Sequence, residues 1–187
     1  MDCEKYFEAC RNACHLPKWD ELPDIELYMD QVITLMNKYI GGMSLSGDPV
    51  LTSSMINNYV KNNIIPAPVK KKYSRTHLFR LIIICIMKPV LQINDISLLI
   101  ETMLKNNTEE NVLNMFSRRY EAVFSDIADV MEKSMAKCNA ECGDEMLLAS
   151  SVLHAAAISS GSMVFAENAL SELHKLSAEN GTSPNGK

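Results

Sequence analysis

The chain has 187 residues, 18 Lys plus Arg against 23 Asp plus Glu, and 47% hydrophobic residues. That suits one compact domain or two small ones and excludes the disordered and collagen-like classes. The longest unbroken apolar run, Leu81 to Met87, is far shorter than the roughly 20 residues of a membrane span, so no membrane partner is expected. The formal net charge of -5 speaks against a polyanionic partner only while the chain is taken whole. Residues 1–48 carry 4 basic and 9 acidic side chains, residues 49–94 carry 7 basic and none acidic, and residues 95–187 carry 7 basic and 14 acidic. The middle of the chain is a basic block.

With only 7 Gly and 7 Pro, and apolar residues recurring every three or four positions, the chain reads as all-α, mainly helical, with few or no strands. Residues 1–15 form a helical extension in this reading, and the acidic Met1-Asp2-Cys3-Glu4-Lys5 start, unlike a secretory signal, implies a cytoplasmic protein. Pro17 and Pro23 bracket a connector containing Trp19. Asp24 then caps a helix to Ile40, with Ile25, Tyr28, Met29, Val32, Leu35, Met36, Tyr39 and Ile40 on one stripe and Gly41-Gly42 as a left-handed stop. After a loop through Asp48-Pro49, Thr52 or Ser53 caps a short helix. One face of it holds Met55, Ile56, Tyr59 and Val60, and the other holds Ser53, Ser54, Asn57, Asn58 and Lys61. Asn62-Asn63 closes it, and Ile64 to Pro68 runs extended, because a residue before proline avoids the helical region.

Lys70-Lys71-Lys72-Tyr73 follows as a basic loop. Ser74 caps a helix to Lys88 whose centre, Leu78 to Met87, is apolar nearly all round, as the hub of a core would be. Asn94 or Asp95 caps the next helix, with Ile96, Leu99, Ile100 and Met103. Thr108 starts a longer one whose near-heptad of Val112, Phe116, Tyr120, Val123, Ile127, Val130 and Met135 suits an antiparallel partner. Gly143-Asp144 is the turn, and a helix rich in Ala and Ser runs from Glu145 to Leu176 before a disordered tail, 177–187. Residues 108–176 are therefore expected to form a hairpin that dimerises or senses a signal.

Chemistry-bearing motifs are scarce. There is no phosphate-binding glycine loop, GxSxG elbow, zinc ribbon or DxDxDG calcium loop, so neither an enzyme nor a cofactor is expected. Cys10/Cys14 and Cys138/Cys142 share helical i, i+4 spacing, but they lie at opposite ends of the chain and read as reduced thiols rather than a metal site. Cys85 reads as core.

The basic block is where helix polarity and charge coincide. Tyr59, Ile64-Ile65-Pro66 and Tyr73-Ser74 resemble the winged helix-turn-helix of the mercury-resistance-regulator type. In that arrangement a recognition helix ends in an apolar pair and a proline, and a basic wing leads through Tyr-Ser into a leucine-rich helix. Asn57 and Asn58 stand where that type usually has arginine and a first tyrosine, and Asn63 replaces its glycine. A second resemblance rests on Leu16-Pro-Lys-Trp-Asp-Glu-Leu-Pro-Asp, Leu27-Tyr-Met-Asp-Gln-Val, Met55-Ile-Asn-Asn-Tyr-Val-Lys and Lys71-Lys-Tyr-Ser-Arg-Thr-His-Leu. Residues 16–100 resemble a bacterial family, mostly from Firmicutes, known as domain of unknown function eighteen thirty-six.

The resemblances imply a winged helix-turn-helix over residues 16–107 that binds double-stranded DNA as a transcriptional regulator and homodimer. The recognition helix is about 52–62 and the wing about 68–75. Asn57 and Asn58 suit adenine's major-groove edge, with Ser53, Ser54 and Lys61 beside them. Lys70, Lys71, Lys72 and Arg75 suit phosphates, and Tyr59 and Tyr73 are candidate phenolic donors to phosphate. The alternative is a protein-interaction module that keeps the fold without DNA binding, its basic block facing an acidic partner or the acidic C-terminal half.

Overall fold

A computed structural model of the chain describes residues 15–43, 49–137 and 143–181. It is mainly helical: α1 (Met29–Ile40), α2 (Ser53–Lys61), α3 (Arg75–Met87), α4 (Ile93–Leu104), α5 (Glu109–Lys137) and α6 (Asp144–Gly181). Two short strands, β1 (Leu27–Tyr28) and β2 (Lys72–Tyr73), pair antiparallel, with Leu27 opposite Tyr73 and Tyr28 opposite Lys72. Strands of two residues are too short for an alternating pattern to be seen in sequence. The Cys10/Cys14 and Cys138/Cys142 pairs lie outside the described residues, as do residues 1–14 of the expected extension and 182–187 of the expected tail.

The first helix starts later than its apolar stripe implies. The chain enters β1 before turning helical at Met29, and the Tyr28 N–H donates to Gln31 Oε1 at 2.8 Å. Ile25 and Tyr28, placed on the core stripe by sequence, are therefore exposed, at 69% and 52%. At its other end Gly41 stays right-handed (φ -61°), and the chain continues into a 3-10 turn, Gly41–Met43, instead of stopping in a left-handed cap.

α2 is built as its sequence suggests. The Thr52 hydroxyl accepts the Met55 N–H at 3.3 Å, satisfying one orphan donor of the first turn. At the far end Asn63 takes φ 57°, its N–H donates to the Val60 carbonyl and the Ile64 N–H donates to the Tyr59 carbonyl. This is a Schellman closure, and Ile64 and Tyr59, the positions that usually make its apolar contact, are both buried in the core.

α3 is the hub, with Leu78, Phe79, Leu81, Ile82, Ile83 and Ile84 all buried. Its capping box uses a histidine where glutamate or glutamine is usual: the Ser74 N–H donates to His77 Nδ1 at 2.9 Å. α4 starts at Ile93 after Gln92, so neither Asn94 nor Asp95 is its cap.

The described residues divide into two compact units that part between Ala128 and Asp129, so α5 contributes to both. In the first, Val112 and Leu113 belong to the same core as α1 and α3. The connector 15–21 lies along α5: the Trp19 N–H donates to Asn114 Oδ1 at 2.9 Å, and the buried Ser117 hydroxyl donates to the Pro17 carbonyl at 2.9 Å. The start of α5 therefore belongs with the helices before it, and not only with a separate hairpin. In the second unit, Ser134 Oγ of α5 lies 2.7 Å from His154 Nδ1 of α6. α6 continues helical to Gly181, past Ser177, where the tail was expected to begin.

Candidate nucleic-acid interface

The outer face of α2 presents Ser53, Ser54, Asn57, Asn58 and Lys61, all exposed. They are held outward because Ile56 and Tyr59 are drawn into the core on the opposite face. Asn62 Nδ2 donates to both the carbonyl and Oδ1 of Asn58 at 2.9 Å, which restrains the Asn58 amide at the end of the helix.

The basic loop is a two-residue hairpin. Val69 and Lys72 exchange both backbone bonds, at 3.2 and 2.9 Å, and the two residues between them have positive φ, 51° at Lys70 and 64° at Lys71. That is a type I′ turn, which ordinarily takes Asn-Gly. Two L-residues with full side chains pay roughly 1–2 kcal/mol each to sit there. Both lysines are exposed at the tip.

An open groove joins the two elements. Asn57 of α2, Lys71 of the turn, Pro68, Tyr73 and the residues opening α1, Tyr28, Met29 and Asp30, line it. Sequence reading had no signal for Tyr28 or Asp30 here, because the β1–β2 pairing brings them beside the wing.

The structure divides the remaining site residues. Tyr59 and Tyr73 are 3% and 2% exposed, so their phenols do not reach a phosphate, and this part of the expected site is corrected. Burial pushes the Tyr59 phenol up to about 12, with the neighbouring Cys85 adding to the shift, and burial raises Tyr73 as well. Both are packing residues: the Tyr73 ring meets His77 edge-on at 5.3 Å, and Lys88 Nζ sits over the Tyr59 ring at 6.0 Å.

Arg75 also turns inward. Its Nη2 donates to the Leu22 carbonyl at 2.9 Å and lies 3.5 Å from Asp24, while the guanidinium covers the Trp19 ring at 5.4 Å. It ties the connector to α3. Lys72 lies 4.0 Å from Glu26 and 5.7 Å from the centre of the Tyr28 ring. Arg80 pairs with Glu101 at 2.7 Å. Among the described residues, Lys61, Lys70, Lys71 and Lys88 of the basic block show no ion pair; Lys71 lines the groove with Asn57, and Lys61 and Lys70 are exposed on α2 and at the turn.

Among the described residues no group of three or more His, Cys, Asp or Glu is placed to hold a metal ion. Cys85 is packed against the core, and burial pushes its thiol up to about 12, with Lys88 pulling the other way.

No curated protein and no solved structure matches the chain. A family model does match, over residues 17–139, a longer stretch than the 16–100 seen from motifs because it takes in all of α5. The chain therefore belongs to the family described as Domain of unknown function (DUF1836).

Proposed function

We propose that the protein is a DNA-binding transcriptional regulator of the winged helix-turn-helix type, with α2 as the recognition helix and the Val69–Lys72 hairpin as the wing. The observation that carries this reading is the pairing of Asn57 and Lys71 on one open groove. It puts an amide able to make two hydrogen bonds to adenine's N6 and N7 edge beside a cation suited to phosphate. Exposed Asn58, Ser54 and Lys61 extend the polar helix face, and Lys70 extends the wing tip. Lys72, half-buried and near Glu26, has a smaller part. Arg75 is left out of the contact set because its donors face the connector.

Fluorescence polarisation with mixed-sequence duplex at low salt tests the reading. Binding is expected at about 50 mM salt and to weaken as salt rises, and Lys70→Ala/Lys71→Ala is expected to lower the log–log salt slope by roughly 2. Absence of binding at low salt, or an unchanged slope in the variant, overturns the reading.

A specific observation also favours the second reading, a protein-interaction module. Tyr28, paired with Lys72, and Val69 of the hairpin are large apolar side chains left exposed at the wing, a composition that suits a protein partner. Duplex binding insensitive to the lysine variant, together with an acidic protein partner captured through the wing, would favour it.

A further inference from the structure

An acidic side chain stands among the residues lining the groove between α2 and the wing. Residues 49–94 hold no Asp or Glu, so it does not come from the basic block. It is Asp30, in the first turn of α1, carried beside the wing by the β1–β2 pairing. The first turn of a helix suits a carboxylate whatever lies outside it, so the position alone marks no site. What sets Asp30 apart is its surroundings. It is exposed, and among the described residues its carboxylate makes no hydrogen bond or ion pair; only its backbone carbonyl is engaged, accepting the Thr34 hydroxyl at 2.8 Å.

Asp30 and Lys71 put opposite charges on one groove, and this decides how a duplex can lie in it. At 0.1 M ionic strength screening sets in over about 10 Å, so both charges act on a duplex seated there. Lysine attracts a phosphate and the carboxylate repels one. The backbone is therefore drawn to the wing, and the Asp30 side is left to base edges.

Base edges in the major groove differ in what they offer to an acceptor. Guanine presents N7 and O6 and thymine presents O4, all of them acceptors, while adenine presents its N6 amino group beside the N7 acceptor. Cytosine alone presents a donor, its N4 amino group, with no acceptor next to it. A carboxylate only accepts, so cytosine matches it and guanine and thymine oppose it. Asn57, with both a donor and an acceptor, is the group suited to adenine.

Resting on the DNA-binding reading given above, we propose that Asp30 is a specificity-determining residue of the groove, its carboxylate accepting the N4 amino group of a cytosine next to the adenine read by Asn57. Lys71 holds the neighbouring phosphate. The same carboxylate lowers affinity for duplexes without that cytosine, because nothing there offsets its repulsion of the backbone.

The test is selection by the full chain from duplexes randomised over about ten base pairs at about 50 mM salt, followed by polarisation with single-base variants of the selected duplex. The wild type is expected to select cytosine beside adenine and to bind roughly tenfold more weakly when that cytosine becomes guanine or thymine. Asp30→Asn, nearly isosteric and uncharged, is expected to keep its helical circular dichroism and to bind unselected duplex at least as tightly. Its discrimination at the cytosine position is expected to fall to about threefold or less. Glu26→Gln removes a carboxylate that faces Lys72 and does not line the groove, and is expected to leave the preference intact. Selected duplexes without a fixed cytosine, an unchanged preference in Asp30→Asn, or its equal loss in Glu26→Gln would overturn the proposal while duplex binding stands. No duplex binding by the wild type would overturn the DNA-binding reading and the proposal with it.

Discussion

At the scale of single residues, His77 has the most specific consequence. It is buried, and its Nδ1 accepts the Ser74 N–H that opens α3, so this nitrogen carries no proton and the ring is the Nε2–H tautomer. Burial holds the imidazole below its usual value near 6.5, against the opposing pull of the Ala67, Pro66 and Ser74 backbone groups and the Glu109 carboxylate. Protonation would put a hydrogen where the Ser74 N–H now points. Because the folded value is depressed, the unfolded chain takes up the proton first as pH falls. The associated stability is complete above pH about 6.5 and is lost as the pH drops toward the folded value. Thermal unfolding from pH 7.5 to 5 is therefore expected to show a fall in Tm that is smaller in His77→Gln, since glutamine can still accept the Ser74 N–H but does not titrate. Equal falls in both proteins would remove His77 from this account. Tyr59 shows why residue roles were only partly legible. The i, i+3, i+4 spacing with Met55 and Ile56 marks it as a core residue, while the resemblance assigned it to phosphate, and the burial of its ring decides for packing.

Among the elements, the wing is the one whose geometry sequence concealed. Three consecutive lysines carry none of the Asn or Gly that a type I′ turn prefers, so the hairpin appears only once Val69 and Lys72 exchange backbone bonds and β1 pairs with β2. The strain is held at the residues proposed to meet phosphate. Lys70→Asn/Lys71→Gly is accordingly expected to raise unfolding stability by about 1 kcal/mol, through relief of the left-handed backbone, while weakening duplex binding. Urea denaturation and polarisation on the same protein separate the two effects. A destabilised variant would show that the lysine side chains support the turn through contacts of their own. α2, by contrast, was legible to its last residue. Thr52 and Asn63 act through hydrogen bonds and φ preferences that are local to the chain, so no distant contact was needed to place them.

For the molecule as a whole, the boundary after residue 107 expected from sequence divides a core that the fold keeps together. Val112 and Leu113 are fully buried with the residues of α1 and α3, and Ser117 and Asn114 hold the connector at Pro17 and Trp19. A chain ending at residue 107 is therefore expected to lose cooperative unfolding, whereas one ending at 139, where the family match ends, retains it. Cooperative unfolding of the shorter fragment would show that α5 is dispensable. The charge division also changes meaning at this scale. Of the seven cations in residues 49–94, Lys72, Arg75 and Arg80 face Glu26, Asp24 and Glu101, so the basic character left on the surface is concentrated at Lys61, Lys70, Lys71 and Lys88.

The amino-acid sequence by itself determined the helical class, the polar outer face of α2 with its caps, the hub character of α3 and the basic block, because each follows from local propensity or from periodicity within one element. The tertiary structure decided which tyrosines are buried, that Arg75 serves the connector, that β1 meets the wing, and that the start of α5 completes the first core. These depend on partners far away in the chain: Arg75 reaches the Leu22 carbonyl across 53 residues and Ser117 the Pro17 carbonyl across 100. Periodicity describes which face of an element is apolar, but only packing determines what that face meets.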